Sequence, residues 1–150
     1  MAGRRSYATG TTSPAALYGG GRMSAQRTAI GTIVDSMRCA FTAEELHREV
    51  VRAEPGIGLA TVYRAIGAMQ SAGALVAVGE RDGSTLLARC ARQDHHHHLL
   101  CTECDAVVGV DCPVDDATMR TAVSGGHLVT SHQIILYGIC AECRTRTEGA

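Results

Sequence analysis

The chain has no tryptophan, no lysine, one phenylalanine and three prolines in 150 residues. With so few rings, a core must come from Leu, Val, Ile, Ala and Met, a thin supply at this length. Small units with little core are commonly completed by a metal clip or a second subunit. No apolar run reaches the ~18 residues of a membrane span, and the start lacks a secretory apolar stretch. The chain is therefore expected in the cytoplasm, away from membranes, where thiols stay reduced. The absence of lysine carries no functional weight: all 14 basic residues are Arg, a compositional bias. Neither HExxH nor the H-x-E…P-C-x-x-C pattern of zinc deaminases is present, so no enzyme and no small-molecule substrate are expected.

Sulfur and imidazole are what the chain does have. Seven cysteines include two matched pairs, Cys101-Thr102-Glu103-Cys104 and Cys140-Ala141-Glu142-Cys143, and His95-His96-His97-His98 runs directly ahead of the first. Each CxxC presents two thiolates to one point, so two pairs can wrap a tetrahedral ion, with zinc the default occupant. These four cysteines are expected to form a structural zinc site. On a strand, side chains alternate faces, so His95 and His97 would point one way and His96 and His98 the other. One strand could then serve two further metal sites.

The formal net charge of −1 hides an asymmetry. Residues 1–72 carry eight Arg against five acids, and residues 90–150 carry four Arg against eight. A basic front suits a polyanion and an acidic rear suits cations.

Residues 1–21 lack periodicity and read as a disordered arm. Ile30, Ile33, Val34 and Met37 recur at helical spacing behind a Ser24 cap. A second helix opens on Thr42 as N-cap, Glu45 as capping box and Phe41 against Leu46 as staple, then stops at Glu54-Pro55-Gly56. In the third pattern Leu59, Val62, Ile66 and Met69 face inward, leaving Thr61, Tyr63, Arg64 and Ala68 outside. Strands over Leu75–Val78 and Thr85–Ala88, flanking a turn at 79–84, complete a winged helix-turn-helix. Thr61, Tyr63 and Arg64 are the candidate contacts to double-stranded DNA. The division predicted is a winged-helix domain over 22–78, wing turn and hinge over 79–89, a metal-binding domain over 90–146 and a tail over 147–150.

The segments Gly58-Leu59-Ala60-Thr61-Val62-Tyr63-Arg64, Asp94-His95-His96-His97-His98-Leu99-Leu100-Cys101-x-x-Cys104 and Tyr137-Gly138-Ile139-Cys140-x-x-Cys143 resemble, in order and spacing, the ferric uptake regulator family, most closely its zinc-responsive actinobacterial branch. The resemblance covers roughly residues 21–143. It implies an α+β fold, an N-terminal winged helix with a C-terminal α/β dimerisation domain, and a homodimeric repressor that binds a near-palindromic operator when loaded with metal. It places Arg22 where the family carries a minor-groove basic residue. On one face of the histidine strand it implies the ligand set His95, His97, Asp116 and His132, the last on a long final strand; the family usually has Glu at the Asp116 position.

On the other face the implied regulatory set is Cys90, His96 and His98 plus an Asp whose position holds Val76. Water could complete that set, or Glu80 or Asp82 in the wing turn, with Cys39 a remoter donor. Cys39 and Cys112 are otherwise read as small core residues, His127 as an ordinary strand residue, and His47 is given no role. The thiolate of Cys90, and Ala40 where iron and peroxide sensors usually bring a histidine, favour zinc as the regulatory metal. Iron, manganese, nickel and peroxide sensing share the scaffold, and a zinc enzyme or zinc-ribbon interaction module is the alternative of another class.

Overall fold

The computed structural model describes residues 12–90, 92, 94–123 and 125–148, without the side chains of 116 and 148. Helix α2 (Ala25–Ser36) starts where Ser24 Oγ accepts from Arg27 N at 3.2 Å. Helix α3 (Ala43–Ala53) has both halves of its capping box: Thr42 Oγ1 accepts from Glu45 N at 3.2 Å, and Glu45 Oε2 accepts from Thr42 N at 2.8 Å. Helix α4 (Leu59–Ser71) begins at Gly58 without a side-chain cap. Their inward stripes meet in one dry cluster in which Ile30, Val34, Leu46, Val50, Val62 and Met69 are wholly inaccessible.

The expected disordered arm is corrected over residues 12–21; residues 1–11 lie outside the described residues. Ser13 caps a short helix α1 (Pro14–Leu17) with proline at its first position, a place where the missing N–H costs nothing. Leu17 and Tyr18 enter the core. The helix rests on Gly31, where a Cβ would come within 3.0 Å of Pro14 Cβ. Two buried apolar side chains compensate for the ordering of a segment too short to show periodicity.

The wing also differs from expectation. Strands β1 (Leu75–Arg81) and β2 (Ser84–Arg89) pair antiparallel almost to the tip, with a bulge between Ala77 and Gly79. The turn is only Asp82-Gly83, both at positive φ (52° and 78°), the geometry an Asp-Gly pair favours. Residues 79–89 are thus hairpin throughout, Thr85–Ala88 being strand as expected, and the first residue past the wing is Cys90, whose N–H donates to Ala74 O at 2.8 Å. Arg89 at the end of β2 forms a buried pair with Asp35 of α2 at 2.7 Å.

Strand β3 (His96–Cys101) lies between β4 (Val107–Asp111), antiparallel, and β5 (Ile135–Gly138), parallel. Helix α5 (Asp116–Thr121) joins β4 to β5, and α6 (Ala141–Glu148) ends the described chain. The long final strand expected around His127 and His132 is not formed: residues 127–134 have no regular structure, and β5 starts at Ile135. The wing packs on the sheet through Val78, Leu86, Ala88 and Leu100, joined by Ala40. Polar contacts add to this: Ala40 N donates to Asp105 O at 2.7 Å, and Arg81 bridges Glu45 of α3 and Asp105 at 2.5 Å each. Among the described residues, no helix is long and apolar enough to cross a membrane.

Candidate metal centres and nucleic-acid face

Among the described residues three clusters of donor atoms form, the atoms of each lying within 4.8 Å of one another. The first is Cys101, Cys104, Cys140 and Cys143. Cys101 ends β3 and is wholly buried, Cys104 closes the following turn, and Cys140 and Cys143 sit at the start of α6. Cys104 Sγ and Cys140 Sγ are 3.7 Å apart. Zinc–sulfur bonds of ~2.3 Å in a tetrahedron set sulfurs about 3.8 Å apart, so the donors match an ion of that size.

The surroundings match it too. Burial works against a thiolate at Cys101, but N–H groups of Cys140, Glu103 and Cys104 outweigh it and lower the pKa. Cys140 is lowered chiefly by the Cys143 N–H, whereas burial raises Cys104 and Cys143. Four sulfurs at this spacing cannot all ionise without a cation among them. Arg146 donates to Cys143 Sγ at 2.7 Å and offsets part of that negative charge.

The second cluster is Cys90, His96 and His98. Cys90 Sγ is 3.3 Å from His96 Nε2, which is 3.2 Å from His98 Nε2. His96 Nδ1 lies 2.7 Å from Asp94 O and donates to it, leaving the Nε2 lone pair facing the cluster, the usual support of a metal-bound imidazole. Burial pushes the Cys90 thiol up. Burial, with His96 beside it, pushes His98 down to about 4, so that ring is neutral near pH 7 and can ligate.

No carboxylate joins this set among the described residues. Val76 packs instead against the cluster of Val78, Leu86, Ala88 and Leu100. Glu80 and Asp82 are corrected as possible donors: they lie four and six residues farther toward the hairpin tip, ~13 and ~20 Å at strand rise. Cys39 is not a core residue, and it joins no donor cluster among the described residues. It is exposed, bridges to Ala106, and lines a cleft with Arg38, Cys104 and Arg146.

In the third cluster His95, His97 and His132 come together, and Cys112 Sγ lies with them. Sequence reasoning placed Cys112 in the core; the β3–β4 register, His96 opposite Asp111, puts residue 112 across from His95 on the same face. That register was the missing signal. The Asp116 side chain lies outside the described residues. His127 is exposed and belongs to no cluster found among them. His97 is fully buried and its Nδ1 accepts from Ile134 N–H at 3.1 Å, so in the neutral ring Nε2 holds the proton; a metal at Nε2 must displace it.

On α4, Tyr63 and Arg64 are exposed and Thr61 is half-buried. Tyr63 Oη donates to Glu44 Oε1 at 2.7 Å, which raises the phenol pKa and lowers that of the carboxyl. Arg64 Nη2 donates to Thr61 Oγ1 at 2.9 Å, holding the guanidinium along the helix face. Ala68, expected outside, leans on the core. A groove runs from Glu44, Tyr63 and Gln70 to Ser84 and Thr85 of the wing, so the helix face and the hairpin share one concave surface. Arg22 is exposed just ahead of α2. His47 Nε2, given no role, is 3.0 Å from Ile57 O and ties α3 to the loop before α4.

Residues 19–137 match the model of the ferric uptake regulator family. A zinc uptake regulation protein of Mycobacterium tuberculosis is 35% identical over 127 residues, 84% of this chain and 97% of the relative. A ferric uptake regulation protein of Escherichia coli is 34% identical over 106 residues, 69% and 71% of the two chains. Among solved structures, one described as a zinc uptake regulator complexed with zinc and DNA superposes with a TM-score of 0.70 at 25% identity, covering 86% of this chain and 87% of that one. With the winged helix, the four-cysteine cluster and the divided histidine strand all in place, the chain belongs to the ferric uptake regulator family.

Proposed function

We propose that the protein is a zinc-responsive, homodimeric, DNA-binding transcriptional repressor of metal-uptake or metal-homeostasis genes, working in a reducing cytoplasm and without enzymatic activity. The observation that carries this reading is the position of Cys90. It directly follows wing strand β2, and its partners His96 and His98 lie on β3 of the other half. A metal held by these three side chains fixes the 90–95 connection and with it the angle between wing and sheet. Bound zinc supplies Lewis-acid bonding to the thiolate and imidazoles; the protein supplies the two geometries it discriminates.

The four-cysteine cluster is read as the structural zinc site. Residues up to 89 are read as the DNA-binding unit, and 90–146 as the metal-binding and dimerisation unit. Exposed Leu136, Tyr137 and Ile139 on and after β5 suit the face of a second copy. Thr61, Tyr63 and Arg64 would enter the major groove, with Arg22 reaching the minor groove, and a two-fold dimer calls for a near-palindromic operator.

Relatedness alone does not choose the metal, since zinc and ferric relatives are 35% and 34% identical. Donor softness does: a thiolate in the hinge set favours zinc over iron(II) or manganese. Differential metal binding to two domain arrangements typically changes affinity about 5- to 150-fold, ~1–3 kcal/mol. The test is promoter-fragment binding by purified protein with and without zinc, beside metal analysis of wild type and Cys90→Ser. Zinc-dependent binding and one fewer zinc per chain in the variant are expected; zinc-independent binding would refute the reading.

A further inference from the structure

We propose that Cys112 is a metal ligand, completing with His95, His97 and His132 a three-nitrogen, one-sulfur zinc site that fills before the three-donor set at Cys90. The inference rests on the zinc reading above and assigns a ligand to the second face of β3. Its main support is the crowding around one atom. His132 Nε2 lies 3.1 Å from His95 Nε2, 3.2 Å from His97 Nε2 and 3.2 Å from Cys112 Sγ. A ring nitrogen offers one lone pair or one proton, so only one of these three approaches can be a hydrogen bond. The other two bring donor atoms together without a hydrogen bond, as the edges of a coordination polyhedron do.

The size agrees. Zinc–nitrogen bonds of ~2.0–2.1 Å and a zinc–sulfur bond of ~2.3 Å give tetrahedral edges of about 3.3–3.6 Å. The separations, 3.1 to 3.2 Å, are somewhat shorter than those edges, as the 3.7 Å sulfur pair of the four-cysteine cluster is slightly shorter than its own. Position agrees as well. Cys112 follows β4 directly, its register places it opposite His95, and it is half-buried, its thiol 3.0 Å from Val114 O.

Two consequences follow. A thiolate in place of a carboxylate excludes hard cations and favours zinc on this face. The two sites on β3 also become unequal. The second face has four protein donors, and the Cys90 set has three because Val76 is apolar. At rising zinc the Cys112 site loads first, which leaves the Cys90 set as the later, responsive one.

The probe is cobalt(II), whose thiolate-to-metal charge-transfer absorption reports sulfur ligation directly. Cobalt is titrated into full-length Cys90→Ser protein carrying one equivalent of zinc in its four-cysteine site. One equivalent of cobalt should bind with a single-thiolate band. Adding Cys112→Ser should abolish the band and weaken zinc binding at least about tenfold, since even outer-shell partners are worth 10–100-fold. Adding Cys112→Asp instead, which keeps a donor, should retain cobalt without the band. Asp116→Ala should leave the band intact. Cobalt bound in Cys90→Ser without a thiolate band, or a band that persists in Cys112→Asp, would overturn the assignment. So would cobalt taken up first at Cys90 in the wild type. Because the readout is spectroscopic, it is independent of whether zinc controls DNA binding; absence of that control in the wild type, with the band intact in Cys90→Ser, would refute the repressor reading alone.

Discussion

The two halves of the chain are held together by different chemistry. In the front half, sixteen buried residues from α1 to β2 pack into one carbon core. In the rear half, the cluster that is its own is Cys101, Ala106, Cys140 and Cys143, with Cys104 beside it. Its one buried leucine, Leu100, packs against the wing rather than within the half, while Leu128, Leu136, Tyr137 and Ile139 face outward. The thin apolar supply is spent on the reading head. On the reading proposed above, the rear half leans on sulfur, metal and a second subunit, so metal availability and the shape of that half are coupled.

The sharpest way to break the contrast is to remove a sulfur. Structural zinc supplies ~10–16 kcal/mol in small sites, as much as the whole net stability of a domain, ~5–15 kcal/mol. Cys101→Ser should therefore lose hydrogen-exchange protection throughout β3, β4 and β5 and give monomer or aggregate, while α2–α4 stay protected. A soluble dimer of normal thermal stability would refute the structural assignment.

Removing carbon from the other half should act without regard to metal. Leu46→Ala should cost ~2–5 kcal/mol by leaving a cavity in the winged-helix core, equally with and without chelator. Asp35→Ala should lower the unfolding midpoint by removing the carboxylate paired with Arg89.

Most of the front half was open to sequence reading because its signals are local. The Thr42–Glu45 box, the Ser24 cap and the four-residue stripes lie within one or two helical turns, and the structure repeats them. What escaped depended on pairing across the chain or on very short segments. The alternation of His95–His98 was readable from strand geometry, but Cys112 joins only through the register of β4 on β3, which no spacing along the chain announces. Likewise the tie from Arg81 to Glu45 and Asp105 spans 36 and 24 residues and appears only once the wing is folded. The α1 helix is four residues long, below any period. The wing turn was drawn too wide, although Asp82-Gly83 carried the signal for a two-residue turn.

Smaller effects sharpen the contrast at the DNA face. Arg64→Ala should weaken operator binding by ~1–3 kcal/mol at fixed salt and leave zinc content and melting unchanged; unchanged affinity would remove α4 as the recognition helix. Thr42→Ala should cost ~0.5–2 kcal/mol of stability through the lost cap, with no change in zinc stoichiometry. Val76→Asp should shift DNA binding to lower free zinc by restoring a carboxylate to the strand leading to the Cys90 set, at some cost to the apolar contact with the sheet.

The most direct test is a titration of operator binding against buffered free zinc, in wild type and in Cys90→Ser protein shown to be a folded dimer. Zinc control through the junction of wing and sheet requires affinity to climb with zinc in the wild type and to stay low and flat in the variant. A Cys90→Ser curve that overlays the wild type would contradict it and move the switch to the His95, His97, Cys112 and His132 face.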